Sequence, residues 1–459
     1  MTKNNLYVLR IALVATLGGL LFGYDTAVIS GAVSSLEHLF GLEGIWLGIT
    51  VSSVLIGCII GGMISGWFAD KFGRRNSLKI AAVLFFTSSY LAGHPEFLFF
   101  ERMSGEAGSG SMEILLAFNF YRLFGGIGVG LASAISPMYI AEIAPAHMRG
   151  RMVSLNQFAI IFGMLVVFFV NWLIVFGQTD EWVFDMGWRY MFWSEMAPAA
   201  LFFVLLFFVP KTPRFLIMSG NPQEAERVLI RIEGLEKAKQ TLGEIVESLK
   251  QKTEKVTAYG WKVVIIGMLL SFFQQAIGIN VVLYYAPFIF ENMGAGRDAA
   301  MLQTTVMGVV NILFTVVAIL TVDRWGRKPL LIVGSVGMAI GMFAIGALAY
   351  FNVIGYATLV FIVIYTASFM MSWGPICWVL LSEIFPNSIR GKAIAIAVAT
   401  QWTFNFIVSA TFPALEAFSM TFTYWLYGVM CILSIIFVWK FVPETKGKTL
   451  EEMTKLWRK

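Results

Sequence analysis

The stretch Asp70-Lys-Phe-Gly-Arg-Arg75 recurs in the second part of the chain as Asp323-Arg-Trp-Gly-Arg-Lys328. Two more stretches recur in the same order: Glu142-Ile-Ala-Pro-Ala-His-Met-Arg-Gly-Arg151 as Glu383-Ile-Phe-Pro-Asn-Ser-Ile-Arg-Gly-Lys392, and Pro210-Lys-Thr-Pro-Arg-Phe215 as Pro443-Glu-Thr-Lys-Gly-Lys448. Because three ordered matches are not expected by chance, the repeats indicate a duplicated unit. Duplicated membrane units with a site at their interface are typical of transporters.

The composition around these repeats is that of a membrane protein. The 459-residue chain is 58% hydrophobic and only 13% charged, about half the charge of a soluble domain. Apolar runs long enough for a helix to cross a bilayer predict twelve spans, near 8–34, 46–69, 77–93, 114–140, 152–176, 190–210, 261–290, 299–322, 329–351, 355–382, 391–415 and 421–442. We therefore predict an all-α membrane protein with twelve transmembrane helices in two six-helix halves. The first span has no cleavage site, so a retained helix is expected rather than a signal peptide.

Basic residues are concentrated in alternate loops. One side carries Lys71, Arg74, Arg75, Arg149, Arg151, Arg324, Arg327, Lys328, Arg390, Lys392 and the basic tail, whereas the other carries mostly acids and only Arg102, Arg189 and Arg297. Since Lys and Arg stay in the cytoplasm, both termini are predicted to be cytoplasmic. The net charge of +5 is explained by this asymmetry, so no nucleic-acid partner is expected.

The duplication divides the chain into four predicted parts. These are a first half (1–210), a cytoplasmic helical linker (211–259), a second half (260–442) and a cytoplasmic tail (443–459). In the linker, Asn221 is a candidate N-cap, with Pro222 at the first helical position. A regulatory domain is the alternative for the linker, although its length is small for one.

Asp25 is the most unusual residue of the spans. It lies deep within the apolar segment 11–33, where a carboxylate costs at least ~2.5 kcal/mol. Arg122 on span 4 lies at a matching depth, ~12–14 Å below the outer surface at 1.5 Å per residue, so a pair is geometrically possible. Glu195 on span 6 is a secondary acid on the same side. The alternative to a functional acid is a permanent ion pair.

Amide side chains recur within the spans of both halves. Amides in a bilayer must be paired or must line a wet cavity, and they donate and accept hydrogen bonds as sugar hydroxyls do. Helix-to-helix contact is the alternative for any single one. The set comprises Gln157, Gln274, Gln275, Asn280 and Gln401, and Trp378 and Trp402 offer flat faces for a pyranose or, alternatively, packing.

Two further groups of residues suggest moving parts. Gly374-Pro375 on span 10, and Gly278 and Pro287 on span 7, are predicted to interrupt their helices and to form gates. The repeated loop motifs are predicted to form an ion-pair network that locks the cytoplasmic side when the cavity faces outward, with topology alone as the alternative. Its members are Asp70, Arg74, Glu142, Arg149, Asp323, Arg327, Glu383 and Arg390.

These motifs resemble those of the major facilitator superfamily. The Pro-Lys-Thr-Pro-Arg and Pro-Glu-Thr-Lys-Gly stretches, with Gln274-Gln-Ala-Ile-Gly-Ile-Asn280 and Gly374-Pro-Ile-Cys-Trp378, are similar to its sugar porter family over essentially the whole chain. The resemblance implies sugar contacts from Gln157, Gln274, Gln275, Asn280, Trp378 and Gln401, with Phe22, Tyr284, Asn311, Gly374 and Trp402 nearby. It also implies that Asp25 takes a proton beside Arg122. A family position that carries a second glutamine holds Met164 here, which leaves the exact sugar open.

The expected function is import of a neutral monosaccharide together with a proton, D-xylose first and a D-glucose-like hexose next. A passive sugar facilitator and a non-transporting sugar receptor are the alternatives; Asp25 disfavours the first and the short tail the second. No nucleophile–base set, nucleotide loop or metal-ligand spacing occurs, so no enzyme, cofactor or metal is expected. A monomer in a bacterial inner membrane is expected.

Overall fold

The computed structural model describes residues 3–99, 103–145, 148–250, 255–353, 356–386, 388–446 and 457. In this part of the chain, ten helices are long and apolar enough to cross a membrane. We label the membrane helices in chain order: α1 (Lys3–Val28), α2 (Ile45–Phe72), α3 (Arg74–Ala92), α4 (Met112–Ile143), α5 (Arg149–Val175), α6 (188–205), α7 (Trp261–Asn292), α8 (Arg297–Trp325), α9 (Arg327–Tyr350), α10 (Tyr356–Ile384), α11 (Arg390–Phe418) and α12 (Met420–Phe441). The predicted all-helical, two-half membrane fold is confirmed.

Helices α3 and α6 complete the twelve, although they are less apolar or shorter than the other ten. Each has a structural reason for the difference. Helix α3 begins with Arg74 and Arg75, and its polar face packs along α4. Helix α6 consists of Trp188–Ser194 and Met196–Leu205, which meet at the buried Glu195. Both helices are therefore stabilised by neighbours inside the bundle rather than by apolar surface alone.

The linker between the halves is helical, as the sequence predicted. It contains Pro213–Met218, Pro222–Glu233 and Leu235–Lys250. Pro222 occupies the first turn and Asn221 the N-cap position. However, the Asn221 side chain makes no capping bond and instead donates to the carbonyl oxygen of Ser219 at 3.2 Å.

Close approach of α2 and α4 depends on glycine. A methyl group on Gly57 would overlap the carbonyl oxygen of Leu123, and one on Gly126 would overlap that of Val54. Small residues allow membrane helices to pack through their backbones in this way. The Gly57–Gly61 and Gly126–Gly130 pairs therefore form scaffold contacts inside the first half.

Helices α7 and α10 are interrupted, although not at every predicted residue. In α7 the break is at Gly278, whose φ is +90° and whose missing side chain makes room for the ring of Tyr427. The prediction for Pro287 was wrong, because Pro287 lies inside the continuous segment Ile279–Asn292.

The break in α10 falls at Ser372, between Tyr356–Met371 and Trp373–Ile384, and not at Gly374-Pro375. Pro375 is the third residue of the second segment. The first four N–H groups of a helix have no partner within it, so Pro375 is accommodated there without loss. The α10 interruption thus lies two residues before the glycine–proline pair.

Candidate functional site

Asp25 and Arg122 form an ion pair in the interior of the first half. Asp25 is 2% exposed and Arg122 is 1% exposed, and Arg122 Nη1 contacts Asp25 Oδ1. Arg122 Nη2 also donates to the backbone carbonyl oxygen of Asp25 at 3.0 Å. Asp25 Oδ2 and Arg122 Nε have no hydrogen-bond partner among the described residues. The pair is therefore buried but incompletely satisfied, unlike a fully bonded structural pair.

Glu195 lies beside this pair. Its side chain is 1% exposed, interacts electrostatically with Asp25 and Arg122, and has Oε2 at 2.8 Å from Ser89 Oγ. Glu195 Oε1 has no partner among the described residues. The three ionisable side chains that the sequence analysis singled out on α1, α4 and α6 thus occupy one buried region.

The amides of α7 form a continuous hydrogen-bonded chain. Asn280 Nδ2 donates to Gln275 Oε1 at 2.6 Å, and Gln275 Nε2 donates to Gln274 Oε1 at 3.4 Å. Gln274 Nε2 then donates to the carbonyl oxygen of Trp373 at 3.1 Å, with that of Gly374 at 3.4 Å. This series of hydrogen bonds therefore extends from the break of α7 to the segment that follows the break of α10.

Helix α11 brings other predicted site residues to the boundary between the halves. The rings of Trp402 on α11 and Phe22 on α1 have centroids 5.5 Å apart. Gln401 is 9% exposed and its Oε1 has no partner among the described residues; the same holds for Oδ1 of Asn311, which is 2% exposed. Buried oxygens of this kind are ordinarily hydrogen-bonded, so these two atoms can accept bonds from a polar ligand.

The remaining predicted contacts take different positions. Tyr284 is buried, and its hydroxyl accepts a bond from Asn405 Nδ2 at 3.3 Å. Gln157 and Trp378 are half-buried, so their polar or flat surfaces are accessible, and Met164 is 8% exposed. Gly374 is buried directly after Trp373. The sugar contacts of these residues stay predictions.

The loop motifs form matching ion pairs in the two halves, at the end of the bundle that we call the motif end. In the first half, Arg74 Nη2 lies 2.9 Å from Glu142 Oε1, and Arg74 Nη1 lies 3.2 Å from Asp70 Oδ1. In the second half, Arg327 Nη2 lies 2.8 Å from Glu383 Oε1. The side chain of Asp323 lies outside the described residues.

In each half, a threonine of the third repeated stretch also forms a hydrogen bond with the glutamate of the ion pair. The sequence analysis did not predict this contact. Thr445 Oγ1 donates to Glu383 Oε2 at 2.6 Å, and the Thr212 hydroxyl bonds to Glu142 in the first half. The other two arginines of the predicted network, Arg149 and Arg390, bond to backbone carbonyl oxygens. Arg149 Nε donates to the carbonyl oxygen of Ala144 at 3.4 Å, and Arg390 Nε to that of Phe385 at 3.3 Å.

Glu444 in the tail forms hydrogen bonds with the start of α9. Its carboxylate accepts bonds from the backbone N–H groups of Arg327 at 3.1 Å and Lys328 at 2.9 Å. Burial by itself raises the pKa of Glu444, but the backbone N–H groups of Lys446, Lys328, Arg327 and Thr445 outweigh it and hold the pKa below its usual value. The tail is thereby tied to the repeated motif.

At the opposite end of the bundle, the two halves are joined by polar contacts that the sequence analysis did not predict. We call Ser34, Asp180, Phe184, Glu291 and Arg297 the far-end cluster. Arg297 Nη1 lies 2.6 Å from Asp180 Oδ1, and its guanidinium carbon lies 4.6 Å from the ring centroid of Phe184. Ser34 Oγ donates to Glu291 Oε2 at 2.6 Å. All of these residues except Asp180 border a cleft of about 370 Å³.

A bundle of twelve helices in two halves, with buried ionisable groups and with buried amide oxygens that have no partner in the described part of the chain, defines a membrane transporter. Comparison with known proteins agrees with this class. The sequence model of the family described as "Sugar (and other) transporter" matches residues 11–457, and the chain belongs to that family. Its matched relatives are transporters, not enzymes.

Two relatives and one solved structure illustrate the relationship. The chain is 52% identical to a D-xylose-proton symporter of Escherichia coli K12, covering 99% of this chain and 96% of the relative. It is 41% identical to a glucose facilitated diffusion protein of Zymomonas mobilis, covering 98% of each chain. The inward-open conformation of the xylose transporter XylE from E. coli matches with a TM-score of 0.90 and 52% identity, covering 98% of this chain and 100% of the other.

Proposed function

We propose that the protein imports a neutral monosaccharide together with a proton by alternating access, with D-xylose the first substrate and a D-glucose-like hexose the next. The buried, incompletely satisfied Asp25–Arg122 pair carries this proposal, because a passive sugar pathway needs no such pair. The relationship to a D-xylose-proton symporter supports the same substrates. Counterflow of labelled xylose and glucose in proteoliposomes, with and without a proton gradient, tests it.

The proposal includes an orientation and a division of the chain. The motif end carries the repeated basic loops and is the cytoplasmic side, so both termini are cytoplasmic in a bacterial inner membrane. Residues 1–210 and 260–442 act as two bodies that rock about the sugar, joined by the linker 211–259 and followed by the tail 443–459. The transporter functions as a monomer.

The described conformation is then the inward-facing one. The far-end cluster closes the outer side through contacts between residues of different halves. The motif-end pairs of Arg74 with Glu142 and of Arg327 with Glu383 each join residues of a single half. The similarity to an inward-open structure supports this assignment.

The outer side should open more readily when the far-end cluster is weakened. Arg297→Gln removes the charge that bonds Asp180 and lies over Phe184, so the outward-facing population is expected to rise severalfold, since an exposed pair contributes at most about 1 kcal/mol. The readout is the reactivity of a cysteine placed at Ser30, which is 2% exposed, in a background without Cys58, Cys377 and Cys431.

The matched control for Arg297→Gln is Asp298→Asn, which changes the charge of the next, exposed residue. Asp180→Asn removes the same ion pair from its other side and should raise the reactivity at Ser30→Cys in the same direction. Equal reactivity in Arg297→Gln and in the unmodified background would show that the cluster does not hold the outer side closed.

Met164 is expected to influence which sugar is preferred. It is a thioether on the same face of α5 as Gln157, seven residues away. Met164→Gln adds a donor and an acceptor there, so the ratio of xylose to glucose affinity is expected to rise about tenfold. Calorimetric titration with both sugars measures the ratio, and Met164→Leu is the control of similar volume. A ratio that stays the same in Met164→Gln would remove this position from sugar selection.

A further inference from the structure

Trp373 is the largest side chain at the interruption of α10, yet it is too deeply buried to meet a ligand. Its relative exposure is 0%, whereas Trp378, five residues on, is half-buried. The residue before it, Ser372, has φ −131° and ψ −92°, outside the helical region. Trp373 is thus the first helical residue after the break, and its side chain is fixed entirely by neighbouring helices.

A directed chain of hydrogen bonds holds this indole. Trp373 Nε1, which can only donate, lies 2.7 Å from Ser335 Oγ on α9. Ser335 Oγ lies 2.9 Å from Ser434 Oγ on α12, and Ser434 Oγ donates to the carbonyl oxygen of Cys431 at 2.7 Å. Because Ser434 has a single hydroxyl hydrogen, Ser335 must be the donor to Ser434. Each of the three donors therefore has one acceptor, and all the side chains are buried.

The shape of α9 reinforces the attachment. A methyl group on Gly334 would overlap Ser372 Oγ, so the backbone of α9 packs directly against the Ser372 side chain at the interruption of α10. The backbone of Trp373 meets the candidate sugar site on its other side, since its carbonyl oxygen accepts from Gln274 Nε2 at 3.1 Å. One residue thus connects the α9–α12 pair to the amide chain of α7.

We propose that Trp373 is a positioning residue for sugar recognition. Its indole, anchored by Ser335 and Ser434, fixes where the carbonyl oxygens of Trp373 and Gly374 lie, and these oxygens orient the Gln274 amide towards the sugar. Trp373 does not touch the sugar. This inference rests on the proposed function, since it assigns Gln274 to the sugar site.

The test compares sugar affinity in Trp373→Phe and Ser335→Ala. Trp373→Phe keeps a ring but removes the N–H, and Ser335→Ala removes the acceptor with little change in volume. Each is expected to raise the Kd and the KM for xylose about fivefold, while the maximal rate of transport stays within about twofold. This pattern is expected when a change weakens binding of the ground state and of the transition state equally. The two changes together should be no worse than either alone, because both break the same bond.

A second cycle separates positioning from general stability. If Trp373 acts through Gln274, adding Trp373→Phe to Gln274→Ala should weaken xylose binding no further. Trp425→Phe is the matched control, because Trp425 Nε1 also bonds between α12 and α9, to the carbonyl oxygen of Phe343 at 3.2 Å, but away from the α10 interruption. It should leave the xylose Kd unchanged even if it lowers the thermal midpoint.

Three results would overturn the inference. Unchanged xylose affinity in both Trp373→Phe and Ser335→Ala would refute it while leaving the proposed function intact. Fully additive effects of Trp373→Phe and Gln274→Ala would assign Trp373 a role independent of the amide. Absence of xylose and glucose binding to the unmodified protein would refute the proposed function and this inference together.

Discussion

Asp25→Asn is expected to abolish uphill sugar accumulation in proteoliposomes that carry an inward proton gradient, while sugar binding is retained. The side chain is 2% exposed and paired with Arg122. Burial disfavours its ionised form, whereas the guanidinium favours it, so a change of cavity exposure that alters either influence loads or releases a proton. An amide has nearly the same shape as the protonated acid but cannot give up a proton.

The size of the effect follows from the driving force. One proton that crosses 100 mV supplies ~2.3 kcal/mol, enough for roughly fiftyfold accumulation at one-to-one coupling. Asp25→Asn should reduce this ratio to one while counterflow, which needs no net proton movement, continues. Counterflow that continues without accumulation would also exclude a receptor that does not transport.

Two further variants sharpen the Asp25 experiment. Glu43→Gln removes an exposed carboxylate near the far end and should accumulate sugar as the unmodified protein does. Glu195→Gln removes the acidic proton of the buried side chain beside the pair. Normal accumulation in this variant would indicate that Asp25 alone carries the proton, whereas reduced accumulation would indicate that the two acids share it. Persistent uphill accumulation in Asp25→Asn would exclude Asp25 from coupling and would leave the permanent ion pair as its role.

The sequence was sufficient for the features that depend on local pattern or on repetition. Apolar length predicts the spans, and the ordered repeats predict that Arg74 and Arg327 occupy equivalent places; each indeed pairs with the repeated glutamate of its half. Depth counted along two helices was enough to bring Asp25 opposite Arg122. These predictions succeed because helix rise and duplication are regular.

Contacts between loops of different halves could not be predicted in this way. Asp180 and Arg297 are 117 residues apart and belong to no repeat, so nothing in their spacing indicates their ion pair. The position of the α10 interruption was also missed, because Pro375 suggests a break at itself, whereas the first turn of a helix tolerates proline. Ser372 carries no sequence signal comparable to a glycine or a proline. Such features depend on tertiary packing, here of α9 against α10.

Alanine at Gln401, Gln274 or Gln157 is expected to weaken sugar binding at least about tenfold, since a buried partner left unmet costs ~1–3 kcal/mol. Gln401 provides the sharpest case. Its Oε1 is buried and has no partner among the described residues. In the proposed complex this oxygen accepts a hydrogen bond from a sugar hydroxyl, and Gln401→Ala removes that acceptor.

Gln274 differs from Gln401, because its amide is bonded to α10 and to Gln275 before any sugar arrives. Gln274→Ala should therefore also disturb the carbonyl oxygens of the α10 interruption, and its loss of affinity should be the larger of the two. Calorimetry with xylose and glucose measures both. Thr403→Ala, two residues after Gln401 on the exposed side of α11, is the matched control and should bind sugar normally. If all three glutamine variants bound sugar as tightly as this control, the sugar would have to bind elsewhere in the bundle.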